Sequence, residues 1–75
     1  VRVQLKTELN FVLEGEYVEL NQLLKLVGLC GSGGIGKQIV ASGAVYVDGR
    51  QELRKTAKIR SGQDVQVGDA LIQVR

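Results

Sequence analysis

The spacing of apolar residues divides the chain into strand-like and helix-like stretches. Val1-Arg2-Val3-Gln4-Leu5 alternates apolar and polar positions, as a half-buried strand does. Asn10 to Glu14 reads as a second short strand and Gly15-Glu16 as a turn, with the two strands paired as a hairpin. From Glu19 the period lengthens. Leu20, Leu23, Leu24 and Val27 fall at i, i+3, i+4 and i+7, one stripe of a helix that Gly28 can end. Glu19 and Lys25 suit the dipole of that helix. Ser32 is placed to cap a second helix from about Gly33 to Ser42. Ile35, Ile39 and Val40 form the predicted buried side of that helix, and Gly43 is its left-handed stop.

Alternation then returns. Ala44 to Val47 is a strand, Asp48-Gly49 a two-residue turn that needs positive φ, and Arg50 to Leu53 the partner strand. Val65-Gln66-Val67 and Leu71-Ile72-Gln73-Val74 alternate around Gly68-Asp69 and predict a second hairpin. The sum is an α+β arrangement: two adjacent short helices packed on a small, mainly antiparallel sheet. Residues 1–75 read as a single domain with a thin core, without internal repeat or linker.

Composition narrows the chemistry. The chain has no histidine, which removes the usual general base and the commonest metal ligand. Its single cysteine, Cys30, allows no internal disulfide and no cysteine-based zinc site, and it fits a reducing cytoplasm. No apolar stretch approaches the ~18 residues of a membrane span. Arg2, Lys6, Glu8 and Glu14 interrupt any run resembling a signal peptide. No base, nucleophile and oxyanion set emerges, so the expectation is a non-enzyme that needs no cofactor or metal.

The net charge is only +2, yet it is unevenly spread. Residues 31–60 carry six basic and two acidic side chains. Five of the six basic residues lie between positions 50 and 60: Arg50, Arg54, Lys55, Lys58 and Arg60. Such a cluster is an electrostatic footprint for a polyanion, or else a solvated basic face.

The run Gly31-Ser32-Gly33-Gly34-Ile35-Gly36-Lys37 admits three readings. As a P-loop it lacks the hydroxyl after lysine, since Gln38 stands there, and a helical segment precedes it. As a dinucleotide turn it has Glu52 at about the right distance, but in the arm of a hairpin. The third reading is a glycine-rich helix capped by Ser32 that carries Lys37 toward an RNA backbone. Gly33, Gly34 and Gly36 each cost such a helix up to about 1 kcal/mol relative to alanine. Close approach of another backbone, or of a ligand's, is the usual compensation.

The order of motifs carries a resemblance. Leu20-x-x-Leu23-Leu24 is followed by Ser32-Gly33-Gly34-x-x-Lys37, then Gly43-x-Val45-x-Val47-Asp48-Gly49, a basic turn, and Gly62-x-x-Val65-x-Val67. This resembles the alpha-L RNA-binding motif first defined in small-subunit ribosomal protein S-four. The runs Tyr17 to Leu26 and Glu52 to Lys55 are similar to its small stand-alone bacterial members of the YbcJ type. The resemblance covers about residues 17–67. It implies binding of structured RNA, ribosomal or transfer RNA, by a cytoplasmic, ribosome-associated monomer with no expected role at DNA or membranes. It also implies that Ser32, Gly33 and Lys37 belong to the helix that faces the RNA, with Lys25 on the neighbouring helix and Arg54, Lys55 and Lys58 in the basic stretch after the hairpin. Arg50 and Arg60 are further candidates that the family pattern does not require. Many relatives carry a second basic residue after the capping serine, where this chain has Gly33, and that departure predicts weaker affinity. Gly62-Gln63-Asp64 departs from the usual glycine–aspartate pair at a turn.

The few aromatics, Phe11, Tyr17 and Tyr46, offer no evident platform for single-stranded bases. Contact with phosphates and RNA shape is therefore the expected mode. The alternatives are a module that docks on an acidic protein partner and, more remotely, a nucleotide-binding protein that uses Gly31 to Lys37.

Overall fold

In the computed structural model, which describes residues 7–75, the chain runs through nine elements. These are β1 (Thr7–Phe11), β2 (Val18–Glu19), α1 (Leu20–Leu26), α2 (Gly33–Ala41), β3 (Val45–Val47), β4 (Arg50–Gln51), β5 (Lys58–Ile59), β6 (Asp64–Val67) and β7 (Ala70–Val74). Five strands form one sheet in the order β1-β7-β6-β3-β4, while β2 and β5 pair separately. All pairings are antiparallel except β1 with β7.

Period-two alternation decides which sheet face is apolar. Val45 and Val47 stand opposite Val67 and Val65, and these in turn stand opposite Ala70 and Ile72. The face they share packs on Leu20, Leu23 and Leu24 of α1 and Val40 of α2, all fully buried. Each such leucine contributes about 2 kcal/mol by leaving water. Since α1 has only seven residues, too few to be stable alone, this burial holds it in place.

The Asp48-Gly49 turn has the expected geometry, with φ +50° and +83°. The return arm is shorter than predicted, Arg50–Gln51 rather than Arg50 to Leu53. The strand expected over residues 10–14 spans Thr7–Phe11 instead. It runs parallel to β7, where Leu9 and Phe11 meet Ile72 and Val74 on the apolar face. The strand predicted over residues 1–5, and the hairpin it was to form, lie outside the described residues.

The glycine run begins no phosphate loop fed by a parallel strand, because α1 and a turn precede it. Two of its glycines, Gly33 and Gly36, serve the contact between helices. The face of α2 turned to α1 is Gly33, Gly36 and Val40, at i, i+3 and i+7, with Gly36 and Val40 buried. Ile35, predicted to be buried, is instead 47% exposed. A Cβ on Gly36 would lie 2.5 Å from the Asn21 backbone oxygen and 3.2 Å from its Cα. The two backbones thus meet where a side chain has no room.

Gly36→Ala should therefore destabilise the protein by about 1–3 kcal/mol, despite alanine's better helix propensity. At Gly34 a Cβ meets nothing closer than the Ser32 hydroxyl at 3.8 Å. Gly34→Ala should stabilise by up to about 1 kcal/mol. Urea unfolding of both variants checks the pair, and effects of the same sign would contradict the account.

Candidate nucleic-acid interface

Helix α1 starts without a side-chain cap, since Glu19 makes no capping hydrogen bond. A helix start leaves N–H groups without intrahelical partners. Here the chain supplies carbonyls from the basic segment: Leu20 N–H donates to Ala57 O at 2.9 Å and Asn21 N–H to Lys55 O at 3.1 Å. Immediately afterwards, β5 pairs with β2, setting Lys58 opposite Glu19 and Ile59 opposite Val18. Ala57 and Ile59 are buried, whereas Lys58 and Arg60 are exposed. The segment turns its apolar side chains to the core and its cations to solvent. Arg54, Thr56, Ala57 and Lys58 line a shallow, open depression there.

The start of α2 lies against the same end of α1. Ser32 is the predicted N-cap, and its hydroxyl accepts from Ile35 N–H at 3.1 Å. Asn21, only 2% exposed, donates from Nδ2 to Gly33 O at 3.4 Å, while its Oδ1 is buried without a partner. A Cβ on Gly33 would come within 2.6 Å of Gln22 Nε2. Gly33 is thus half-buried against α1, and its side-chain position faces that helix rather than solvent.

Ser32, Gly33, Lys55, Lys58 and Arg60 accordingly gather around the start of α1. Lys37 is exposed on α2, and Lys25 is exposed on the last turn of α1. Lys25 is four residues, or about 6 Å of helix rise, beyond Asn21. Arg50 does not join the group. It lines an open groove by the β3–β4 turn with Asp48, Glu52 and Gln63.

Arg54 is exposed but already engaged. Its Nε and Nη2 each donate to the Glu52 carboxylate at 3.0 Å, and its own N–H donates at 3.0 Å as well. These hydrogen bonds, from the guanidinium first, hold the Glu52 carboxyl below its ordinary range. Asp48 is lowered too, first by the Asp64 backbone N–H and then by the Gln63 amide.

Lys58 and Arg60 have a different neighbour, which the sequence did not suggest as a site residue. The Tyr17 ring lies with its centroid 4.9 Å from Lys58 Nζ and 5.8 Å from Arg60 Cζ. Tyr17 and this pair are far apart in sequence, so only the β2–β5 pairing reveals the contact.

The chain is a small α+β domain with an exposed basic segment anchored at a helix start, and comparison with known proteins gives its family. The S4 domain model matches residues 11–75, and the chain belongs to that family. Among curated proteins it is similar to YbcJ of Escherichia coli (strain K12), 47% identical over 58 residues, which are 77% of this chain and 83% of the relative. YbcJ of Shigella flexneri matches to the same extent. Among solved structures it is similar to the solution structure of YbcJ from E. coli, said to reveal an alfaL motif involved in RNA-binding. That match has a TM-score of 0.66 at 38% identity and covers 99% of this chain and 92% of the other. Among the described residues, no helix is long and apolar enough to cross a membrane, and no cluster of metal-ligating side chains occurs.

The two lowered carboxyls make a prediction about acid stability. A group whose folded pKa lies below its unfolded value adds stability above the ordinary carboxylate range, and that stability is lost as pH falls through the folded value. Urea midpoints should therefore decline below about pH 4, and Asp48→Asn should flatten that decline. An unchanged acid dependence in Asp48→Asn would contradict the assignment.

Proposed function

We propose that this protein is a non-catalytic binder of structured RNA, ribosomal or transfer RNA, that grips backbone phosphates with the surface around the start of α1. The observation that carries this reading is the anchoring of the basic segment. Two main-chain hydrogen bonds and the β2–β5 pairing fix Lys55, Lys58 and Arg60 along β2 and the start of α1, the helix whose Asn21 holds the start of α2. Fixed cations meet phosphates without first losing backbone freedom. The S4 membership of the chain, and the RNA-binding motif reported for the YbcJ structure, support the same reading.

Each residue has a role in this account. Ser32 and Gly33 present the start of α2, whose dipole favours an anion. Lys25, Lys37, Lys55, Lys58 and Arg60 neutralise phosphates. Arg54 joins them by exchanging Glu52 for a phosphate, which makes it a conditional contact. Arg50 sits apart, beside carboxylates, and contributes least. The mode is backbone and shape recognition, with little preference for sequence.

Anisotropy titrations with a structured ribosomal RNA fragment at several salt concentrations test the proposal. About five phosphate contacts give a log–log slope between about −3 and −5. Lys37→Ala and Arg54→Ala should weaken binding to a similar degree across RNA sequences, and Glu52→Gln, which frees Arg54, should tighten it. A flat slope, or no binding at low salt, contradicts the reading. Partners retained in a pull-down after nuclease treatment would instead point to an acidic protein partner.

A further inference from the structure

The two exposed arginine contacts of the basic segment are built on opposite principles. Arg54 lies on a carboxylate, which positions it and also cancels its charge. Lys58 and Arg60 lie on an aromatic ring, which positions them and leaves their charge intact. Arg54–Glu52 is the one ion pair within 4.0 Å among the described residues.

The strand geometry explains how one ring reaches two cations. Lys58 and Arg60 are two residues apart, so they leave the same side of the extended segment, with buried Ile59 between them. Val18 stands opposite Ile59, which brings Tyr17 alongside the outward pair. Arg60 is fixed a second time, because its Nη1 donates to Glu16 O at 3.3 Å. The negative face of the ring attracts both cations. The Tyr17 side of the segment remains open, since the residue is 41% exposed.

Resting on the RNA-binding reading, we infer that Tyr17 is a positioning residue: its ring holds Lys58 and Arg60 as an un-neutralised cation pair that receives phosphates of the RNA backbone. A phosphodiester then meets cations whose side chains the ring has already ordered. The same ring could in principle serve an RNA base by stacking, so the test must separate the two roles.

Binding of a structured ribosomal RNA fragment at low salt is compared for wild type, Tyr17→Leu, Tyr17→Phe and the Lys58→Gln/Arg60→Gln pair with and without Tyr17→Leu. A cation–π contact at an exposed site corresponds to an affinity change of about two- to fivefold. Tyr17→Leu should lose that much and Tyr17→Phe should keep wild-type affinity. In the Lys58→Gln/Arg60→Gln background, Tyr17→Leu should change nothing further. A Tyr17→Leu loss that persists in that background assigns the ring to base stacking and overturns the inference, as does an unaltered affinity in Tyr17→Leu alone. A measurement free of RNA separates this inference from the functional reading. In the free protein, the ε-methylene protons of Lys58 should resonate upfield through the ring current, and Tyr17→Leu should abolish the shift. Absence of the shift overturns the positioning role, whereas the shift together with no RNA binding overturns only the functional reading.

Discussion

Two backbone hydrogen bonds govern this molecule, those from Leu20 and Asn21 N–H to the carbonyls of Ala57 and Lys55. A seven-residue helix with no side-chain cap has little reason to form where it does. The basic segment supplies the missing acceptors. The same bonds commit that segment to a course across the end of the helix, and β2–β5 pairing extends the commitment to Lys58 and Ile59. Helix start and cation cluster are therefore one structural unit, and neither keeps its geometry without the other.

The glycine run completes the unit from the other side. Gly36 lets α2 approach α1 until backbone meets backbone, and Gly33 lies against the Asn21 and Gln22 side chains, which brings the Ser32 cap next to that helix. The likeness of this run to phosphate loops is thus only partly physical. The start of a capped helix beside a lysine does suit an anion. Gly33 and Gly36, however, are spent on the helix partner, and no parallel strand delivers the run to a nucleotide.

Local signals were legible in the sequence. The Ser32 cap, the stop at Gly43 and the Asp48-Gly49 turn depend on neighbours within a few residues, and each stands where the pattern placed it. Both helices followed from their apolar spacing to within a residue or two. Long-range partners were not legible. Ile35 fits the helical stripe, yet it is exposed because the Gly33–Gly36–Val40 face makes the closer contact. The strand near Phe11 was visible, but its parallel partner β7 was not, since alternation specifies a face and not a neighbour. Of the candidate site, the charge cluster was evident from the order of charged residues along the chain. Its division into a neutralised Arg54 and a ring-held Lys58 and Arg60 was not, because that depends on where Glu52 and Tyr17 come to rest.

The functional claim is that one continuous surface, made from the start of α1, the start of α2 and the basic segment, meets the RNA. Amide chemical-shift mapping of the labelled protein with a structured ribosomal RNA fragment tests this most directly. Perturbations concentrated at residues 17–22, 32–37 and 54–60 are the predicted result. Perturbations confined to the outer sheet face around Tyr46, Gln66 and Gln73, or to the turn beside Arg50, would contradict it.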